Sequence, residues 1–274
     1  MRFHGSSAAN PAAAASERDP TMADRIRRIK ACLNGQRNPA DHPAVPVTPD
    51  ELAAAAVAAV AAGAEAVHVH PRDGDGRESL RQADVRAAVA AVRAACPGTP
   101  IGVTTGLWVT GDVWTRRDEV MSWADLESAQ RPDFASVNVS EDGWQELTVV
   151  LADAGIGAEA GVWSVADAEA AAGFERSADW LRILVEIAGV TSETATMRAD
   201  EILDILYAAR MKVPILLHGE DEGCWPLVTH AGRLGLATRI GLEDVLTGPD
   251  GRDVADNAEL VRLGLVEWTT APSG

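Results

Sequence analysis

Two histidines spaced two residues apart, in Ala66-Val67-His68-Val69-His70-Pro71-Arg72-Asp73, are the side chains of this sequence best placed to do chemistry. Side chains at i and i+2 of a strand leave the same face, about 6.5–7 Å apart along the backbone. Two imidazoles so placed can close on one metal ion. Pro71 ends the segment, which puts the pair at the carboxyl end of a strand, where parallel α/β proteins carry their sites. A second polar group, Glu243-Asp244, follows another apolar run far down the chain. The alternation there puts Arg239, Gly241 and Glu243 on one face and Ile240 and Leu242 on the other. Two histidines and one carboxylate form a catalytic zinc set with one position open, so His68, His70 and Glu243 are the expected ligands. Asp244 suits a hydrogen-bonding support, a general base or a helix cap. Arg239 suits a partner for Glu243, a partner for a substrate carboxylate, or a buried salt bridge.

Other strand ends carry small polar groups: Asn34, Thr104, Ser136 and Asn138, with Glu159, Glu186 and His218 further on. Hydroxyls and amides in such places can donate to a substrate oxygen, which makes Asn34, Thr104 and Ser136 candidate substrate contacts. Packing and capping are the ordinary alternatives. His218 stays open between a further ligand, a cofactor contact and a loop histidine.

The elements that would position these residues recur regularly. Apolar runs at Ile29–Leu33, Ala64–His70, Ile101–Thr104, Phe134–Asn138, Gly157–Val162, Leu181–Glu186, Val213–His218 and Thr238–Glu243 read as strands. Alanine-rich segments between them read as helices. The clearest follows Thr48-Pro49-Asp50-Glu51, a cap with proline in the first turn and an acid at the third position. Others are expected over Ser79–Ala95, Trp144–Ala154, Val165–Ala172, Ala195–Arg210, Cys224–Leu234 and Val254–Gly264. Eight strands alternating with helices predict a single α/β domain, a (β/α)8 TIM barrel, with an open doubly wound sheet as the main competitor. No GxGxxG follows the first strand and no GxxxxGK[ST] occurs, which argues against dinucleotide and P-loop folds.

The 274 residues are 47% apolar but only 4% aromatic, a mix suited to close-packed helices around buried parallel strands. A net charge of −17 argues against a general nucleic-acid or polybasic membrane binder. Three widely spaced cysteines with no CxxC, and no membrane-length apolar run, predict a reduced, cytoplasmic protein. Residues 1–22, rich in Ala, Ser and Pro, read as a disordered tail, followed by the barrel over residues 23–274.

Taken together, Asn34-Gly35, Asp41-His42-Pro43-Ala44-Val45-Pro46-Val47-Thr48, His68-Val69-His70-Pro71-Arg72-Asp73 and Gly241-Leu242-Glu243-Asp244 resemble the β-keto acid cleavage enzymes, from about Ile29 to at least Asp244. The resemblance implies a zinc-dependent barrel, usually a homotetramer, that takes a β-keto acid and acetyl-CoA to acetoacetate and a new acyl-CoA. It implies His68, His70 and Glu243 as zinc ligands, Asp244 as catalytic base and Arg239 as its support. Thr104 falls where the family has a serine near the substrate, and Ser136 where it has a threonine. One departure is early. Well-known members carry a glutamate after the glycine of the first strand end, where this chain reads Gly35-Gln36-Arg37. Its absence speaks against a cationic keto acid, and Arg37 favours a neutral or anionic one. Two rival readings stand beside this one. A metal-dependent hydrolase of the amidohydrolase type would need two later histidines and an aspartate, with HxH on the first strand. A non-catalytic, degenerate barrel would bind no zinc.

Overall fold

The computed structural model describes residues 26–271. The tail expected over residues 1–22 lies outside the described residues. The elements run β1 (Ile29–Cys32), α1 (Pro49–Ala61), β2 (Ala66–Val69), α2 (Gln82–Ala95), β3 (Ile101–Val103), α3 (Leu107–Thr110), α4 (Val113–Ser122), β4 (Phe134–Asn138), α5 (Trp144–Asp153), β5 (Gly157–Val162), α6 (Val165–Gly173), β6 (Arg182–Ile187), α7 (Ser192–Ala208), β7 (Ile215–Gly219), α8 (Cys224–Leu234), β8 (Thr238–Ile240) and α9 (Asn257–Thr270). The eight strands form one parallel sheet in which each pairs with its sequence neighbour and β8 pairs with β1. Between β7 and β8 the ring is joined by the Leu216–Ala237 bridge and by the Thr238 hydroxyl, which donates to Leu217 O at 2.8 Å. This is the expected (β/α)8 barrel.

Local signals explain much of it. Thr48 and Glu51 form a reciprocal capping box at the start of α1, with Pro49 in the first turn. Outward strand residues such as Val67, Val69, Ile183 and Ile240 are fully buried beneath the helices and form the main core.

Several expected boundaries are corrected. β2 stops at Val69, one residue short of His70, and β8 stops at Ile240, three short of Glu243. The cause at β8 is a close backbone approach: a Cβ on Gly241 would fall 1.8 Å from Cys32 O. The ladder ends there and the chain turns, with Asp244 N–H on Gly241 O at 2.9 Å. Glu243 is therefore aimed by a turn and not by strand alternation. α2 begins at Gln82 and not at Ser79, because Ser79 is tied back to Pro71 O through its N–H and to Asp84 through its hydroxyl. α3 and α4 were not foreseen. Asp112 caps α4 by accepting from Trp114 and Thr115 N–H, each at 3.0 Å. The exposed Trp114 and Met121 blur that helix's apolar period.

The barrel interior is unusually polar for its depth. Lys30 donates to Glu159 at 2.5 Å and Arg182 donates to the other Glu159 oxygen at 3.1 Å. Both cations sit over the Phe134 ring, 5.5 and 5.0 Å from its centroid. Gly102 makes room for that ring, since a Cβ there would lie 2.0 Å from it. Burial opposes ionisation of Glu159, but Lys30 and Arg182 outweigh it and hold the carboxyl at about 2. Its proton affinity is thus lower folded than unfolded. The stabilisation is fully present above the ordinary carboxylate range and is lost as pH falls through about 2. The displacement corresponds to about 3 kcal/mol. Urea unfolding between pH 5 and 2.5 is expected to show this loss, and Glu159→Gln to flatten the dependence while lowering stability at pH 7. An unaltered pH slope in the variant would exclude Glu159 as its source.

Candidate metal centre and active site

His68 lies within the β2 ladder, paired with Cys32 on one side and Gly102 on the other. His70 lies just beyond the strand, yet its backbone is held as though the strand continued. His70 N–H donates to Asn34 Oδ1, and Asn34 Nδ2 donates to His70 O, both at 2.9 Å. The amide of Asn34 thus replaces a missing neighbour strand, and both imidazoles leave the same side with ring centroids 5.2 Å apart. Glu243 reaches them from the turn after β8, its Oε1 lying 3.6 Å from His70 Nε2. One ligand atom from each of the three lies within 4.8 Å of the others. Gly35 makes the approach possible: its φ is 55°, and a Cβ there would lie 2.4 Å from Glu243 Cγ.

The donor set fits a divalent cation. His68 Nδ1 and Glu243 Oε2 are buried without a hydrogen-bond partner, a costly state for polar atoms that an ion would relieve. Burial drives the His68 proton affinity down to about 3, so the ring is neutral, as a ligand must be. Burial also acts against charge on His70, but Glu243 and Glu78 outweigh it and raise the ring to about 9. Glu78 holds His70 Nδ1 at 2.5 Å and accepts from Trp108 Nε1 at 3.1 Å, while the Trp108 ring stacks on His70. Nε2 of His70 is thereby left to face Glu243. A carboxylate behind a ligating imidazole typically contributes about 10–100-fold to metal affinity. Glu78→Gln is therefore expected to weaken metal binding by about that factor, read by chelator competition; unchanged affinity would show that Glu78 does not orient the ring.

Arg239 organises what lies beneath. Its Nη2 is 3.1 Å from Glu243 Oε1, and its Nε and Nη2 donate to Asp244 Oδ1 at 3.0 and 2.7 Å. Nε also donates to His218 Nδ1 at 3.1 Å, so the His218 proton sits on Nε2 and is given to Glu186 at 3.0 Å. Burial, with Arg239 beside it, keeps His218 neutral. His218 is a link in this network and belongs to none of the three roles left open for it. The two adjacent carboxylates are pushed apart. Glu243 is half-buried, and although its partial burial opposes ionisation, Arg239 and the two imidazoles hold it well below the usual carboxylate range. Asp244 goes the other way, because burial and the charges of Glu243 and Glu220 exceed the pull of Arg239. Asp244 Oδ2 is buried and unpartnered. One carboxylate stays ionised and its neighbour holds a proton readily, an arrangement suited to acid–base work.

A cavity of about 240 Å³ opens above the ligands at the carboxyl ends of the strands. Thr104, Ser136, Arg37 and Arg239 line it together with His68, His70 and Glu243. Thr104 Oγ1 accepts from Gly106 N–H at 3.1 Å. Arg37 donates to Glu243 O at 3.2 Å and to Asp221 at 2.7 Å. Asp244 lies behind Arg239 and not on the wall. The substrate contact expected at Asn34 is corrected: its amide is spent on His70 and on Pro46 O, behind the site. Arg72 pins the loop between them through the Gly35 and Arg37 carbonyls, at 2.5 and 2.9 Å.

Sequence reasoning missed Glu78, Trp108, Trp163, Leu184 and Glu220. Trp108 and Trp163 come shortly after the ends of β3 and β5 and stay 42% and 40% exposed, and that position was the available signal. Glu186 and Glu220 face one another on the wall. Burial and the charge of Glu243 raise Glu186, while burial and the charge of Glu186 raise Glu220 to about 8. The histidines a hydrolase site would need are engaged elsewhere, His218 as described and His230 with Asp200 at 2.7 Å. No helix among the described residues is long and apolar enough to cross a membrane.

Comparison with known proteins agrees with this arrangement. The family model described as beta-keto acid cleavage enzyme matches residues 28–264. Among solved structures, ObcA in a ternary complex with a C4-CoA adduct and oxalate superimposes with a TM-score of 0.66 at 19% identity, covering 81% of this chain and 63% of that one. The binary complex of ObcA with oxaloacetate gives 0.62 at 20% identity, again with 81% and 63% covered. This chain thus spans about three fifths of the ObcA length it matches. The 3-dehydroquinate dehydratase of Geobacillus kaustophilus gives 0.54 at 12% identity, with 89% and 92% covered. At these identities the structural likeness is one of fold, and the family follows from the match along the sequence: the chain belongs to the β-keto acid cleavage enzyme family.

Proposed function

We propose that this protein is a zinc-dependent acyltransferase that condenses a β-keto acid with acetyl-CoA and splits the product into acetoacetate and a new acyl-CoA. The observation that carries the reading is the convergence of His68, His70 and Glu243 in front of the Arg239–Asp244 pair. A zinc ion held by the three ligands would supply Lewis-acid polarisation of the keto acid's oxygens. Asp244 is the base for the proton on the carbon between the two carbonyls, and a shift of the Arg239 side chain, which stands between Asp244 and the cavity, brings Oδ2 within reach. Arg239 holds Asp244 by its other oxygen and keeps it in place beside Glu243. The carbanion attacks the acetyl-CoA carbonyl and expels CoA thiolate. The thiolate then attacks the original ketone, the carbon–carbon bond breaks, and Asp244 returns its proton to the departing acetoacetate. Thr104 and Ser136 offer hydroxyls to the substrate carboxylate from the cavity wall. Arg37, with no acid in the early glutamate position, favours a neutral or anionic substituent on the keto acid.

The same reading carries a homotetramer and a cytoplasmic location. The test is acetoacetate release from zinc-loaded protein given acetyl-CoA and a panel of β-keto acids with neutral, anionic and cationic substituents. Release with a neutral or anionic member is expected. Absence of release with every member would overturn the reading in favour of a barrel that binds metal without this chemistry.

A further inference from the structure

Beside the metal cavity lies a second hollow of about 330 Å³, walled by the start of α6, the end of β6 with its following loop, and one face of α7. Trp163 belongs to the lining of both spaces. It follows the last residue of β5, and its backbone N–H is fixed by Asp167 at 2.9 Å. Val165, Ile187, Val190 and Ile202 give the hollow an apolar wall, with Ser164 and Glu201 as its polar members beside Arg198, and Val165 is 38% exposed at its mouth. The loop beyond β6 leaves the mouth clear, since nothing lies within 4 Å of a Cβ placed on Gly189. Arg198 stands on the rim, its side chain 58% exposed and, among the described residues, paired with the exposed Glu201, a contact too solvated to hold it firmly.

Size, continuity and charge together identify an occupant. The proposed reaction brings a thioester carbon to the metal ligands while the rest of that molecule stays outside. The metal cavity, at about 240 Å³, also has to hold the keto acid. A long arm ending at the thioester would leave past Trp163, and the adjoining hollow offers an apolar wall for it. The far end of that molecule is a polyanion, and a chain of net charge −17 repels it except where a cation projects; Arg198 is such a cation.

We infer that this hollow seats the pantetheine arm of the CoA thioester, with Trp163 at the junction and Arg198 toward the phosphates. The inference rests on the acyl-transfer reading above.

Zinc-loaded protein is titrated with acetyl-CoA, with binding measured by calorimetry apart from turnover. Val190→Trp fills the hollow from a half-buried loop position, and Arg198→Glu reverses the rim charge on the surface. Val190→Trp is expected to weaken acetyl-CoA binding about tenfold or more, by occupying the space the arm needs. Arg198→Glu is expected to weaken it several-fold, with a smaller salt dependence. Zinc affinity and the KM for the keto acid are expected to stay unchanged in both. Unchanged acetyl-CoA affinity in both variants overturns the inference, as does a wild-type protein that binds no acetyl-CoA. A changed sedimentation coefficient in Val190→Trp with acetyl-CoA affinity intact assigns the hollow to contact between copies and also overturns it. Absence of acetoacetate release from protein whose acetyl-CoA binding these variants weaken overturns the proposed reaction and leaves the hollow as a CoA site.

Discussion

Replacing Glu243 with glutamine is expected to cost more than about a hundredfold in metal affinity and at least about a thousandfold in kcat/KM, because a neutral amide replaces the only anionic ligand. The shape is conserved, so the loss is electrostatic. Glu243 is also what keeps His70 charged near neutrality: burial alone acts against a proton there, and Glu243 is the largest opposing influence. Metal-free Glu243→Gln should therefore show His70 titrating lower than in the wild type, with Glu78 still supporting its proton, by NMR of the imidazole. Two independent readouts, metal content and the His70 titration, then report on one substitution. Wild-type metal affinity in the variant would remove Glu243 from the ligand set and with it the proposed centre.

The second large effect is expected at the neighbouring residue with the opposite signature. Asp244→Asn should keep its metal and lose turnover by about 10²–10⁴-fold, the usual contribution of a positioned general base. The amide oxygen can still accept from Arg239 at the place of Oδ1, so Arg239 and Glu243 need not move. What disappears is the proton-accepting capacity of the unpartnered Oδ2. Metal analysis and steady-state rates on the same preparation check this. Undiminished turnover would remove the assignment of Asp244 as base, and loss of metal would make Asp244 a support of the ligand set.

The parts of this molecule legible in the sequence were those written in local pattern. Near-continuous apolar runs mark strands buried on both sides, and all eight lie where such runs occur. The candidate metal group was legible because His68 and His70 share a strand phase and the Glu243-Asp244 pair follows the last apolar run. The reason given for Glu243 was incomplete, since a turn forced by the approach of Gly241 to Cys32 aims it. Contacts across the fold leave no such trace. Lys30 is an anomaly in an apolar strand until Glu159, 129 residues away, is seen to meet it. Glu78 looks like one loop acid among several until the segment after His70 folds back. Asn34 was assigned to substrate because an amide at a strand end resembles a ligand, whereas its true partners are backbone atoms, which carry no residue identity.

The loop after β1 is gripped in a way that separates two kinds of change. Arg72 holds it by main-chain carbonyls, and Gly35 is confined by its own conformation and by the flank of Glu243. Neither grip depends on which side chains occupy positions 36 and 37. Gln36 on the cavity wall can therefore be exchanged without disturbing either grip, whereas Arg37 also holds Glu243 O, so a change there reaches the turn that carries Glu243.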